Sequence, residues 1–179
     1  MTPQPRILKR TELVRSRNFR LVRTVLDMKG YPRMTRDTLE HPGAVAIVPI
    51  LDGRRVMLIH QYRFACRGLL WEIPAGTLEP PEAPRVCAQR ELMEEIGYRA
   101  RRIEKLATFY TAPGFCTELM HLYLARGLTP ASARGDADEI IRPVAVPFRE
   151  ALRMIDRGTI RDAKTIVGLH LAAQRLRLG

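Results

Sequence analysis

The sequence predicts an α/β domain built on a mixed or antiparallel sheet. Two observations carry this: apolar runs of strand length bounded by Gly, Pro and Asp turn signals, and three segments whose apolar residues recur at helical spacing. A chain of 179 residues is most simply one compact domain, because that length can bury most of the surface exposed by the unfolded chain. The expected division is an N-terminal strand or hairpin arm over residues 1–40 and a principal domain over residues 41–179.

Along the chain, residues 19–29 alternate, with Phe19, Leu21 and Val25 on one side and Arg20, Val22, Thr24 and Leu26 on the other. A turn at Gly30-Tyr31-Pro32 and a polar strand over Met34–Leu39 complete an antiparallel hairpin. Ala44–Ile50 and Val56–Tyr62, separated by the Asp52-Gly53 turn signal, read as core strands. Trp71–Gly76 reads as a short strand running into a loop, since proline is excluded from a ladder interior. A helix follows over Ala83–Ile96, then strands at Ala107–Tyr110 and His121–Ala125 around a Thr111–Thr117 loop, and another at Pro143–Val146. Arg149–Arg157 and Ala163–Leu176 are helical by periodicity, the latter capped by Asp162.

Hydrophobic residues at 46% and charged residues at 27% exclude a disordered tail or a fibre. No apolar run is long enough to span a bilayer and no signal-like h-region follows the N-terminus, so the expectation is a cytoplasmic protein without membrane association. Cys66, Cys87 and Cys116 are too scattered for a disulfide framework and read as free, mostly buried thiols. The formal charge of +11 is concentrated at the start: residues 1–36 hold ten Lys and Arg against Glu12 and Asp27. Such an excess attracts phosphorylated small molecules and nucleic acid alike, although arginines on alternating strands more often form a solvated face, so nucleic acid is not the favoured partner.

The informative segment runs from Gly76 to Tyr98. Pro84 is tolerated in a first helical turn and Gly97 is a natural left-handed stop, so both helix boundaries are written in. On a helical wheel Ala88, Leu92, Ile96, Met93 and Val86 share one apolar face, and Glu91, Glu94 and Glu95 fall in a wedge beside it. Like charges at that spacing repel. Arg90 neutralises one of them; the surplus of oxygen at the margin of a core, in an otherwise basic chain, is what hard cations such as Mg²⁺ or Mn²⁺ favour.

Gly76, five residues, Glu82, seven residues and then Arg90-Glu91-Leu92-x-Glu94-Glu95-x-Gly97-Tyr98 resembles a complete Nudix box, GX5EX7REUXEEXGU, with every fixed position matched over 23 residues. The resemblance implies a Nudix hydrolase domain over 41–179 with an α/β/α sandwich. It further implies a box that binds divalent metal and directs water onto a phosphorus of a nucleoside diphosphate linked to another moiety. By position it makes Glu91 and Glu95 metal ligands and Glu94 an additional ligand or helper, with Arg90 and Glu82 orienting them. Two to three Mg²⁺ or Mn²⁺ ions are implied.

Outside the box, Phe109–Glu118 resembles the loop of bacterial ADP-ribose pyrophosphatases, with Pro113 lying 15 residues after Tyr98. His60-Gln61-Tyr62-Arg63, Trp71–Gly76, His41–Val45 and Asp162–Ile166 are similar to the same subfamily. Carried over by position, the Ala75 carbonyl faces a metal, Arg63 contacts the diphosphate, and Pro113, Gly114 and Glu118 belong to the substrate loop, with Glu118 near the terminal ribose. The catalytic base falls in Asp136-Ala137-Asp138-Glu139-Ile140, where Glu139 is chosen as base and metal ligand over Asp138, Asp136 or a helix glutamate. In the subfamily this chain resembles, the N-terminal hairpin exchanges between two subunits, so the resemblance implies a homodimer, with Arg36 reaching the substrate. GDP-mannose or a broad range of nucleotide sugars is the competing substrate class. A non-catalytic module binding ADP-ribose or RNA is the competing reading from outside enzymology, disfavoured because all box glutamates are present.

Overall fold

The computed structural model describes residues 4–131 and 140–177. The chain forms two compact units, one made of Met1–Gly43 with Tyr110–Leu119, the other of Ala44–Phe109 with Met120–Gly179.

The first unit carries a three-stranded antiparallel sheet in sequence order: β1 (Arg6–Arg15), β2 (Arg20–Asp27) and β3 (Met34–Glu40). Sequence periodicity suggests a two-stranded hairpin here, and the strand it misses is β1. Its register against β2 slips between Ile7 and Lys9 and again between Glu12 and Val14. Each bulge breaks the period of two on which a strand is recognised. Cross-strand ion pairs lace the sheet, with Arg23 forked onto Asp37 at 2.7 and 2.6 Å and both Arg10 and Arg20 on Glu40. Counted to Glu40, the N-terminal excess is thus ten cations against four acids, and much of it is paired.

The second unit holds two sheets. One is β10-β5-β6, formed by β5 (Arg55–Arg63), β6 (Gly68–Glu72) and β10 (Ile141–Pro147), all antiparallel. The other is β7-β4-β9-β8, from β4 (Ala44–Pro49), β7 (Ala75–Thr77), β8 (Tyr98–Tyr110) and β9 (Leu119–Pro130), with β4 parallel to β9. The mixed sheet expected from the sequence is present; β8 and β9 both run well beyond the apolar stretches that announced them, β8 back through Arg99, Arg101 and Arg102 and β9 on through Arg126-Gly127 to Pro130.

Three helices, α1 (Pro84–Ile96), α2 (Phe148–Asp156) and α3 (Ala163–Leu176), cover these strands. Every residue of β4 is buried, and its two faces serve different cores. Ala44, Ala46 and Val48 pack with Leu122, Leu169 and Ala172 on the side of α2 and α3; Val45 and Ile47 pack with Ala88, Leu92 and Ile96 on the side of α1. That two-sided burial is why residues 44–50 read as a continuous apolar run rather than an alternating one, and it makes the layer order helix, sheet, helix. No described helix is long and apolar enough to cross a membrane. The three cysteines are free, Cys87 buried and Cys66, contrary to expectation, exposed.

The α3 packing is close enough to depend on a glycine. A Cβ on Gly168 would stand 2.8 Å from Ile73 Cδ1, 3.1 Å from Val48 Cγ2 and 3.3 Å from Leu122 Cδ1. Gly168→Val is therefore expected to destabilise the protein by about 1–3 kcal/mol through overpacking; a melting temperature equal to or above that of the unsubstituted protein would show that α3 does not sit so tightly on the sheet.

Candidate active site

Helix α1 starts at Pro84 and stops at Gly97, whose φ of 72° places it in the left-handed region and whose N–H donates to the Met93 carbonyl at 3.2 Å. Its buried residues are Cys87, Ala88, Glu91, Leu92, Glu95 and Ile96. The wheel drawn from sequence is thus rotated: Val86, assigned to the apolar face, is 60% exposed, while Glu91 and Glu95, assigned to its margin, lie inside the buried arc at 7% and 6%. Carboxylates go inside only where partners meet them.

Those partners are visible. Glu95 Oε2 accepts the backbone N–H of Ala75 at 2.9 Å. Glu91 lies against the next residue, Gly76, so closely that a Cβ there would overlap its carboxylate. Two carboxylates one helical turn apart thereby converge on consecutive residues of β7. Arg90 fills the remaining side: its guanidinium is bonded to Glu82 at 3.0 and 3.0 Å, Glu91 at 2.6 Å, Glu94 at 2.9 Å and the Thr77 carbonyl at 3.3 Å. These acids, Glu82 foremost, hold Arg90 firmly charged, and Arg90 in return keeps the Glu82 carboxyl below its ordinary value. Burial pushes the neighbouring Cys87 thiol up, away from reactivity at neutral pH.

A second charged group flanks the same segment. Arg63, at the end of β5, is forked onto Glu72 at 2.8 and 2.7 Å, and Lys164 on α3 bonds the same carboxylate. Asp162 accepts from Lys164 at 3.0 Å, caps α3 through the Thr165 N–H at 3.0 Å, and receives the Thr165 hydroxyl at 2.5 Å; Thr165 Oγ1 accepts in turn from the N–H of Ile73 at 2.8 Å. Glu72 is 1% exposed, whereas Arg63 keeps about a third of its side chain in solvent. Besides Glu72, the charges of Glu95 and Asp162 also raise the Arg63 pKa, so Arg63 and the box carboxylate lie within each other's field. Residues 72–76 are thus bracketed by α3 on one side and α1 on the other.

The box acids, Arg90 and Arg63, named from the sequence, are brought together around residues 72–76, and the Asp162 cap is as expected, but Glu72 and Lys164 as an ion pair were missed. The available signal was an acid at the end of a core strand, between Trp71 and Ile73, which demands a cation from somewhere in the chain. Of the other expected residues, Glu139 lies outside the described residues. Arg36, Pro113, Gly114 and Glu118 all belong to the first unit. There Arg36 is exposed and bonds the Thr35 carbonyl at 3.0 Å; Pro113 and Gly114 form a turn closed by Phe115 and Cys116 N–H groups on the Ala112 carbonyl; Glu118 accepts from Thr111 Oγ1 at 2.6 Å and faces His41 Nε2 at 3.8 Å. A Cβ on Gly114 would meet nothing within 4 Å, so the fold itself does not require glycine there.

Among the described residues no three His, Cys, Asp or Glu side chains gather into a metal-binding cluster. The donor pair Glu91 and Glu95 nonetheless suits a hard cation. Both are carboxylates, both point at one backbone segment, and each carboxylate oxygen can accept more than one partner.

A NUDIX domain model matches residues 40–167. The chain belongs to the Nudix family. Curated relatives include a methanol dehydrogenase activator of Bacillus methanolicus, 42% identical over 75% of this chain and 74% of its own length, and an ADP-ribose pyrophosphatase of Bacillus subtilis, 38% identical over 73% and 71%. A GDP-mannose pyrophosphatase of Cronobacter sakazakii is 40% identical over 70% of each chain. Among solved structures, an ADP compounds hydrolase aligns with a TM-score of 0.88 at 26% identity, covering 99% of this Nudix chain and 96% of the other.

The Glu72 network has a titration signature. Burial alone would raise the Glu72 carboxyl, but the Arg63 fork and Lys164 outweigh it and leave its pKa below the ordinary 4.5. A group depressed in the folded state adds stability above its unfolded pKa and loses it as pH falls through its folded one. Glu72→Gln is expected to lower stability at neutral pH by on the order of 2 kcal/mol, less than for a fully buried pair because Arg63 is partly hydrated. The gap from the unsubstituted protein should close as pH drops below 4.5, and thermal melts showing a constant gap through the acid range would contradict the assignment.

Proposed function

We propose that this Nudix chain hydrolyses the diphosphate of ADP-ribose, or of a closely related nucleoside diphosphate sugar, with Mg²⁺ or Mn²⁺ in the site, giving AMP and ribose 5-phosphate from ADP-ribose. The observation that carries the reading is the convergence of Glu91 and Glu95 on Ala75 and Gly76, beside Arg63, whose field Glu95 shares. Likeness to the Bacillus subtilis ADP-ribose pyrophosphatase and to the solved ADP compounds hydrolase supports an adenine nucleotide substrate. GDP-mannose is the second candidate, favoured by likeness to the Cronobacter GDP-mannose pyrophosphatase.

In this reading Glu91, Glu95 and the Ala75 carbonyl would hold the cations, two to three in number, with Glu139 as a further ligand. When bound, such cations neutralise diphosphate oxygens and acidify water at the site. Arg90 and Glu82 fix the rotamers of the box acids, and Glu94, held by the same arginine, assists as ligand or helper. Arg63 has two nitrogens, Nε and Nη2, committed to Glu72, which orients its planar fork so that the remaining edge is presented to a phosphate oxygen. Glu139 takes the proton from the attacking water. The water oxygen forms a bond to one phosphorus as the bridging P–O bond breaks, its electron pair leaving on the other phosphate, and Arg63 meets the charge developing on the phosphoryl oxygens. Arg36, Pro113, Gly114 and Glu118 complete the proposal as substrate contacts. The protein acts in the cytoplasm as a homodimer.

Glu95→Gln is expected to keep the fold, by circular dichroism, and to reduce turnover about 100-fold or more, since even outer partners of a metal ligand cost 10–100-fold. A chelator should abolish activity and added Mg²⁺ restore it. Comparing kcat/KM across ADP-ribose, GDP-mannose, UDP-glucose, NADH and diadenosine polyphosphates decides the substrate; salt-sensitive RNA binding without metal-dependent turnover would reverse the proposal in favour of a binding module. Light scattering should give twice the chain mass, and a fully active monomer would remove the dimer.

A further inference from the structure

Gln61 sits in the middle of β5, paired with Ile141 of β10 on one side and Leu70 of β6 on the other. It is only 3% exposed, and its side-chain Oε1 is sealed from solvent with no hydrogen-bond partner. It is the only buried side-chain polar atom among the described residues left in that state. A buried acceptor without a donor is costly, and folded proteins rarely leave one without a reason.

Side chains alternate along a strand, so Gln61 shares its face with Met57, Ile59 and Arg63. Met57 and Ile59 pack into the core formed with Cys87, Ala88, Leu92 and Ile96 of α1, and Arg63 is forked onto Glu72 and feels the charge of Glu95. Gln61 therefore lies between the apolar seat of α1 and the arginine proposed to bind the diphosphate. The identity of its missing partner follows from donor and acceptor chemistry. Phosphate oxygens and carboxylates only accept, so neither the substrate diphosphate nor a box glutamate can satisfy Oε1; of the donors that nucleotide-sugar hydrolysis brings, sugar hydroxyls and water, water is the one small enough to reach an atom enclosed within the sheet.

We propose that Gln61 Oε1 accepts a hydrogen bond from a water molecule that takes part in hydrolysis, holding it beside Arg63. This rests on the diphosphatase reading and adds a residue to it. No described group of the protein meets Oε1, which leaves it available to orient one water next to the arginine; unmet polarity of this kind collects at functional sites.

The test is Gln61→Met, close in length and volume but without the amide. Two readouts should move in opposite directions. The melting temperature of the protein free of metal and substrate should rise, by about 2–8 °C, because an unmet buried acceptor has been removed. With Mg²⁺ and ADP-ribose, kcat should fall about tenfold or more while KM changes little, as expected when a reacting group is mispositioned rather than substrate binding lost. A lowered melting temperature would show that the amide is an ordinary structural group, and an undiminished kcat would remove Gln61 from the chemistry; either overturns the inference and leaves the diphosphatase reading standing. If the unsubstituted protein turns over no nucleotide sugar at all, both fall together.

Discussion

The constraint on which this molecule depends is the burial of two glutamates from one helix against two consecutive backbone residues of a neighbouring strand. Glu95 is held by the Ala75 N–H and Glu91 lies where Gly76 has no Cβ. Such burial of like charges is unfavourable unless partners surround them. Arg90 supplies the compensation for Glu91, and because it also grips Glu82, Glu94 and the Thr77 carbonyl, it ties the approach to the helix, its middle and β7 into one unit. The glycine at 76 and the arginine at 90 are thus two sides of one requirement, room for a carboxylate and charge to hold it.

The opposite side of the same segment is fixed by different means. Glu72 receives two cations, Arg63 from β5 and Lys164 from α3, while the cap of α3 reaches the Ile73 backbone through Thr165. Residues 72–76 therefore link helices on the two faces of the sheet. An acid and a base from strands and helices far apart in sequence meet at a place where neither could be buried alone, and the only member left substantially in water is the arginine proposed to contact substrate.

Much of this was legible in the sequence, for reasons that differ by element. The ends of α1 were written in Pro84 and Gly97, the last helix in Asp162, and β4 in its unbroken apolar run. The reaction class was legible because its chemistry fixes residue types at fixed spacing along one short segment. What escaped were features that depend on partners elsewhere. Strand β1 has bulges that scramble its alternation, the extension of β8 is arginine-rich, and that of β9 passes through Arg126-Gly127. Val86 was misplaced because a wheel sends carboxylates to solvent by default, whereas here backbone donors and Arg90 draw Glu91 and Glu95 inward and roll the helix with them. The Glu72 and Lys164 pair spans 92 positions, a separation over which pattern carries no information. Gln61 gave no signal of its own, since an unmet acceptor is a property of its surroundings.

The ring of Trp71 stacks on His60 with centroids 4.5 Å apart and planes 15° from parallel, on the strand position just before Glu72. It is the chain's sole tryptophan. Indole fluorescence from this protein therefore comes from a single place, next to the carboxylate that anchors Arg63, with an imidazole against its face. The fold thus carries its own optical probe at the edge of the candidate site, and any change around β6 on adding a nucleotide can be read without attaching a dye.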